Sequence, residues 1–375
     1  MSITRITTDE LMEGRAGALV LDVRSPGEYA HAHIPGAKSL PLFDDEERKE
    51  IGTLYKQQSR QKAIKRGLDF FGIKMRTMVE NAETFVKEHR KLLGIRNSGI
   101  VTTQEFPIFV HCWRGGMRSA AVAWLLDLYG FNITVPEEGY KGFRRWAREQ
   151  FEKKYPFVVL GGYTGSGKTE ILQELARPGI ITTDLEGLAS HRGSAFGALG
   201  MDPQPTQEMF ENLLALDLHN KSAEVQKAPG SVIVVEDESQ RIGRLQIPMP
   251  LWYTLRRSPL IFVDIPPNER LRHITVNYGR HDRQQLEESI LRIERKLGGL
   301  ETNNAIGFLR EGNTEECFRI LLGYYDKLYE RGLHNRENLT ALLNKIPCAT
   351  VAAQTNAQRV AATIFSGPSS LPSTV

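Results

Sequence analysis

Cysteine is scarce in this chain: Cys112, Cys317 and Cys348 are the only three among 375 residues. An odd number with no C-x-x-C pair argues against a disulfide framework and against a zinc site. One working thiol in a reducing compartment is the pattern that remains. Long apolar runs are missing as well. Nothing approaches the roughly 18 apolar residues of a membrane helix, and the polar start, Met1 to Asp9, is not a signal region. A cytoplasmic protein is therefore expected. Charge of one sign is also lacking, since 48 basic residues meet 45 acidic ones for a net +3. Charge alone thus argues for no nucleic-acid partner, although a locally basic face stays open. Hydrophobic residues at 41% and charged residues at 25% are those of an ordinary globular chain. The length exceeds one typical core, so two domains are expected.

What the sequence does hold centres on Cys112. Pro107 to Val110 reads as a buried strand. It runs into His111-Cys112-Trp113-Arg114-Gly115-Gly116-Met117-Arg118-Ser119. Val122, Leu125, Leu126 and Tyr129 then recur at helical spacing. Strand, glycine loop and helix N-terminus together aim backbone N–H groups at the cysteine. The helix dipole and nearby guanidinium groups favour the thiolate. The same N–H ring suits a bound anion. Cys112 as nucleophile, with Arg114 and Arg118 on the anion, is the functional reading. A small buried cysteine beside a glycine turn is the bland one.

Upstream, Leu19 to Arg24 reads as a short strand ending in polar residues. Ser25 to Tyr29 is a turn opening a helix, with Pro26 suited to its first position. His33 to Ala37 is a second turn, followed by the extended Lys38 to Leu42. Asp22-Val23-Arg24-Ser25-Pro26-Gly27-Glu28-Tyr29, then His33-Ile34-Pro35-Gly36-Ala37, then the Cys112 loop, resemble the rhodanese domain in that order. The resemblance covers most of residues 1–150. It implies a parallel sheet flanked by helices and a cysteine that carries transferable sulfur as a persulfide.

Two departures stand out. Cys112 and Arg118 form C-x5-R, one residue longer than common rhodanese loops and similar to the rhodanese-related dual-specificity phosphatases. A wider cradle suits a larger tetrahedral group or a larger chalcogen, against simple thiosulfate sulfur transfer. The second departure is an insertion from about residue 44 to 99, read as mostly helical. It opens on Asp44 to Glu47 and carries Lys56, Arg60, Lys62, Lys65, Arg66, Lys74, Arg76, Lys87, Arg90, Lys91 and Arg96. Those bases make either a solvated helical decoration or a surface for an RNA backbone. Ile133 to Val135 is another strand, and the helix from Gly139 ends the domain, with a junction at Lys154 to Pro156.

The second domain, residues 155–375, opens on the apolar strand Phe157 to Leu160. Gly162-Tyr163-Thr164-Gly165-Ser166-Gly167-Lys168-Thr169 follows and matches G-x-x-x-x-G-K-T. Ile171, Leu172 and Leu175 continue as a helix, which gives the strand–loop–helix context this motif needs. Gly162, Gly165, Ser166 and Gly167 let backbone N–H groups reach phosphates. Lys168 adds a mobile charge, and the Thr169 hydroxyl suits Mg²⁺. Ser231 to Ser239 reads as a core strand ending in acids, of which Glu236 and Asp237 are both Mg²⁺ candidates, with Asp237 taken alongside Thr169 as the metal pair. Ile180 to Asp184 and Leu260 to Ile265 are further strands, and Gln207 to Lys221 is a helix. The loop His191 to Gly197 either covers a ligand or merely connects. From Pro267 onward the pattern is helical and basic. Tyr324, Tyr325, Lys327, Tyr329 and Arg331 either stack on nucleobases or pack within a helix. Gly367 to Val375 looks like a frayed tail. The whole is α/β: a rhodanese-like domain with a helical insertion, then a P-loop NTPase-like domain with a parallel sheet and a helical C-terminal extension.

Taken together, the Cys112 loop, Gly162 to Thr169, and Val234-Val235-Glu236-Asp237-Glu238-Ser239 resemble the tRNA 2-selenouridine synthase family over nearly the whole chain. The resemblance implies a transferase acting on 2-thiouridine at the wobble position of tRNAs for lysine, glutamate and glutamine. It implies geranyl transfer from geranyl diphosphate to that sulfur, then replacement by selenium from selenophosphate. On that footing Cys112 is expected to carry selenium as a selenosulfide, with Arg114 and Arg118 on the selenophosphate. No D-D-x-x-D, the usual isoprenoid diphosphate motif, is present, so the P-loop is the best diphosphate site. Three alternatives compete: an ATP- or GTP-dependent tRNA sulfurtransferase, a C-x5-R phosphatase with a nucleotide-binding domain, and a non-catalytic scaffold.

Overall fold

In the computed structural model, which describes residues 3–95 and 106–366, the chain forms two units, Met1–Glu149 and Gln150–Val375. The end of the expected insertion, with Arg96, and the expected tail from Gly367 lie outside the described residues.

The first unit is built on five parallel strands: β1 (Thr4–Ile6), β2 (Leu19–Asp22), β3 (Lys38–Ser39), β4 (Ile108–His111) and β5 (Ile133–Pro136). Their order is β1-β5-β4-β2-β3. Strands β2 and β4 are buried at every position, as expected of parallel strands covered on both faces. Their pairing sets Asp22 opposite His111, immediately before Cys112. After the cysteine loop, the helix Met117–Tyr129 packs on the sheet and ends at Gly130, whose φ of 109° is the left-handed cap that glycine permits.

The insertion is helical, and it is not only decoration. Asp44 caps the helix Asp45–Gln57 reciprocally with Glu47. The long helix Arg60–Leu92 then buries Ala63, Gly67, Phe71, Met78, Ala82 and Val86 at helical spacing. Phe71, Met78, Ala82 and Val86 join Leu19, Leu21, Ile108 and Val110 in one core. Several insertion bases pair within the unit, as in Arg66–Glu50, Lys74–Glu47 and Arg76–Glu80. The solvated reading therefore holds for one face only.

The second unit has a parallel sheet of β6 (Phe157–Gly161), β7 (Thr182–Thr183), β8 (Ile233–Glu236), β11 (Leu260–Asp264) and β12 (Leu343–Pro347), with a small hairpin, β9 (Arg241–Ile242) and β10 (Leu245–Gln246). The sheet order is β12-β11-β6-β8-β7. Central β6 aims its C-terminal end at the P-loop. Two expectations are corrected. The strand expected over Ile180 to Asp184 shrinks to Thr182–Thr183, because the Asp184 carboxylate turns to cap the next helix by accepting from Gly187 N–H at 2.6 Å. The helical run after Pro267 is broken by β12, an edge strand carrying Asn344, Lys345 and Pro347. Polar residues and proline are how edges are kept from pairing further, and they hide the strand from an apolar-run search. Among the described residues no helix is long and apolar enough to cross a membrane.

Candidate active site

In the first unit, the strand end rests on a rigid base. Arg24 donates from Nε and Nη2 to the buried Asp22 carboxylate, at 3.0 and 2.7 Å, and also to the Ala32 carbonyl. Its guanidinium lies 3.9 Å from the Tyr140 ring centroid. Burial lowers the His111 pKa, so this ring stays neutral beside Asp22. The loop above is clamped from behind: Tyr140 N–H donates to the Cys112 carbonyl and Lys141 N–H to that of Trp113, both at 2.9 Å. Gly115 has φ +61°, and a Cβ there would lie 2.2 Å from the Glu137 carbonyl oxygen. Only glycine fits this turn.

Cys112 is 3% exposed. Burial by itself would raise its pKa. The Ser119 hydroxyl, 3.3 Å from Sγ, the N–H groups of Arg114 and Ser119, and the charge of Arg118 reverse that, and the thiol sits below the ordinary cysteine value. Cys317 is pushed up to about 12 by burial, and Cys348 is raised for the same reason. One activated thiol therefore stands among three. The two expected arginines divide. Arg118 is fixed by Glu28, donating from Nη1 at 2.5 Å and Nη2 at 3.2 Å. Burial works to raise Glu28, but Arg118, the Ser25 N–H and Arg48 hold it below the usual carboxylate range. Arg114 contributes its backbone N–H to the sulfur, while the residue itself is exposed. Ser119 and Glu28 were both in the motifs, but no spacing rule assigned them a role.

In the second unit, Gly162, Gly165 and Gly167 hold positive φ, and the loop lines a cavity of about 480 Å³. Ser166 is 1% exposed, and its Oγ is buried with no hydrogen-bond partner. That leaves a donor for an incoming anion. Lys168 Nζ donates to the Gly162 carbonyl at 3.0 Å. Thr169 donates to Glu186 at 2.7 Å. The two expected acids part company. Glu236 is fully buried, accepts from Glu186 N–H at 2.8 Å, and is raised well above the usual value by burial and by Asp184 and Glu186. Asp237 instead accepts from the Tyr329 hydroxyl at 2.6 Å and pairs with Arg336. Glu186 and Glu238, hydrogen-bonded to each other, are both raised by burial. The acid beside the Thr169 hydroxyl is thus Glu186, which sequence reasoning missed.

The remaining cavity wall includes Arg192, Gly193 and Ser194, so the loop His191 to Gly197 lines the cavity. Tyr325 accepts from Ala195 N–H, and Tyr329 accepts from Gly162 N–H. These tyrosines buttress the P-loop cavity within the helix Thr314–His334. Burial pushes Tyr325 and Tyr329 both well above the ordinary phenol value, so both remain neutral.

Fold and sites define the class: a rhodanese-like unit with an activated cysteine, followed in the chain by a P-loop unit. The comparisons agree. The rhodanese-like domain family matches residues 7–145, and the family described as tRNA 2-selenouridine synthase AAA domain matches residues 155–358. A tRNA 2-selenouridine synthase of Cupriavidus pinatubonensis is 32% identical, over 84% of this chain and 88% of its own length. Relatives of that name from Hahella chejuensis and Bdellovibrio bacteriovorus are 33% and 32% identical, over 88% and 90% of this chain and 89% and 94% of theirs. The chain belongs to the tRNA 2-selenouridine synthase family.

Proposed function

We propose that this chain is a transferase that converts 2-thiouridine, at the wobble position of tRNAs for lysine, glutamate and glutamine, to 2-selenouridine in two steps. In the first, the thiouridine sulfur attacks C1 of geranyl diphosphate, a C–S bond forms, and diphosphate leaves. In the second, selenium replaces geranyl thiol at C2. Selenophosphate and water enter, geranyl thiol and phosphate depart, and no oxidant or reductant is consumed.

The observation that carries the reading is the pairing, in one family member, of two different anion cradles. One surrounds an activated thiolate, and the other offers the unpartnered Ser166 hydroxyl beside Lys168. Diphosphate is bound at the P-loop, where Lys168 leaves the Gly162 carbonyl to meet it. Thr169 and Glu186 are the residues to hold a Mg²⁺ there, which would offset charge on the departing diphosphate. Asp237 is a poor ligand, because Arg336 and Tyr329 already engage its carboxylate. Cys112 acts on selenophosphate, with loop N–H groups and the Glu28-fixed Arg118 on its oxygens. Alkylating the sulfur first turns a poor leaving group into a better one.

Nucleoside mass spectrometry of tRNA treated with two variants tests the division of labour. Lys168→Ala should fail to geranylate yet convert supplied geranylated tRNA. Cys112→Ala should stop at the geranylated product. Lys168→Ala retaining geranylation, or Cys112→Ala still forming 2-selenouridine, refutes the assignment.

A further inference from the structure

Beside the cysteine loop lies a groove of about 350 Å³ that the chemistry above leaves unused. Its walls come from the two insertion helices and from the first turn of the helix that follows the cysteine loop. Phe43 and Phe71 form a buried floor, whereas Leu68, Tyr55 and Met117 are 59%, 53% and 50% exposed. Large apolar side chains left open around one concavity mark a binding surface. The volume falls within the roughly 300–1,000 Å³ of small-molecule sites.

Position and charge narrow the occupant. Met117 and Arg118 line the groove, and the next residue, Ser119, has its hydroxyl 3.3 Å from the Cys112 sulfur. A ligand in the groove therefore lies against the reacting loop. Among the described residues no carboxylate lines it; its charged residues are Arg48, Lys56 and Arg118, all cations, of which Arg48 and Arg118 flank Glu28. A hydrocarbon floor with a cationic rim fits an apolar chain attached to a polyanion.

Resting on the two-step reading, we infer that this groove holds the isoprenoid chain of the S-geranyl-2-thiouridine intermediate while the Cys112 loop acts at C2. The groove then selects geranylated over thiolated tRNA for the second step. When the C2–Se bond forms and the C2–S bond breaks, geranyl thiolate leaves into the groove and takes a proton from water. Selenium is thereby delivered to nucleosides whose sulfur has already been made a leaving group.

The test uses the full chain with Leu68→Glu and, separately, Ile64→Glu, both at residues that line the groove. These side chains are 59% and 37% exposed, so the fold should tolerate both. Binding is measured to anticodon stem-loop RNA carrying S-geranyl-2-thiouridine and to the same RNA carrying S-methyl-2-thiouridine. Wild type and Leu68→Met should prefer the geranyl RNA by about tenfold or more, a gap that burying a few methylenes readily supplies. Both Glu variants should lose that preference while keeping their affinity for the methyl RNA. A preference that survives in both Glu variants, or is missing in wild type, overturns the inference. So does a wild-type dimer that Leu68→Glu converts to monomer, since a second copy would then be the occupant. A groove-dependent preference with no 2-selenouridine formed on adding selenophosphate would leave the groove standing and sink the two-step reading.

Discussion

Replacing Ser119 by alanine probes how the Cys112 thiolate is held. The Ser119 hydroxyl has one proton and two takers: it lies 3.1 Å from the Gly116 carbonyl and 3.3 Å from the Cys112 sulfur. With a neutral thiol, the proton goes to Gly116. On ionisation it turns to the sulfur, so the bond is made to the charged form and draws the pKa down. Hydrogen bonds to charged groups are worth about 1.5–3 kcal/mol. The long contact and the lost Gly116 bond place this one at the low end. Each ~1.4 kcal/mol is about tenfold in the thiolate-to-thiol ratio, so Ser119→Ala should lower that ratio about tenfold near neutral pH. The assay is the pH dependence of iodoacetamide alkylation, located by peptide mass spectrometry. Cys317 and Cys348, both raised by burial, serve as silent internal controls. The alkylation profile of Cys112 should move to higher pH by about one unit. A profile that overlays wild type would refute the role of the hydroxyl.

Glu28→Gln should act in acid. The folded protein holds Glu28 below the usual carboxylate range, so its contribution is present above the unfolded pKa and is lost as pH falls through the folded one. Thermal melts should show the variant less stable at neutral pH, with the difference closing in acid; a constant gap contradicts this. Glu238→Gln should do the reverse. Its raised pKa makes ionisation a penalty that grows as pH rises above the carboxylate range, so the variant should melt higher at pH 8 and no higher in acid. Arg336→Ala removes the cation beside Asp237 and leaves it only the Tyr329 hydroxyl, in a site where the side chains of Arg336 and Asp237 are 0% and 10% exposed. Breaking such a pair costs about 3–5 kcal/mol, readable in urea unfolding. A loss much below about 1 kcal/mol, the level of an exposed pair, would show the pair to be solvated.

Much of the fold was legible because its strands are buried on both faces. Ile108–His111, Phe157–Gly161, Ile233–Glu236 and Leu260–Asp264 are plain apolar runs. Strand Leu343–Pro347 was not legible, since an edge needs no such run. The cysteine loop and P-loop were legible because each packs its chemistry into fewer than a dozen consecutive residues. Their partners were not. Glu28 reaches Arg118 across 90 residues, and Tyr329 and Arg336 reach Asp237 across 92 and 99. No local spacing encodes such contacts. The surroundings of the expected metal pair were hidden for the same reason: Asp237 sits at the expected strand end, but Tyr329 and Arg336 engage it, and Glu186 stands beside Thr169.

The order of the two steps is the central claim. Its most direct test is mass spectrometry of nucleosides from 2-thiouridine tRNA incubated with the protein and either or both donors. Geranyl diphosphate alone should yield S-geranyl-2-thiouridine, selenophosphate alone should leave 2-thiouridine unchanged, and both together should yield 2-selenouridine. Formation of 2-selenouridine from selenophosphate alone would contradict the account.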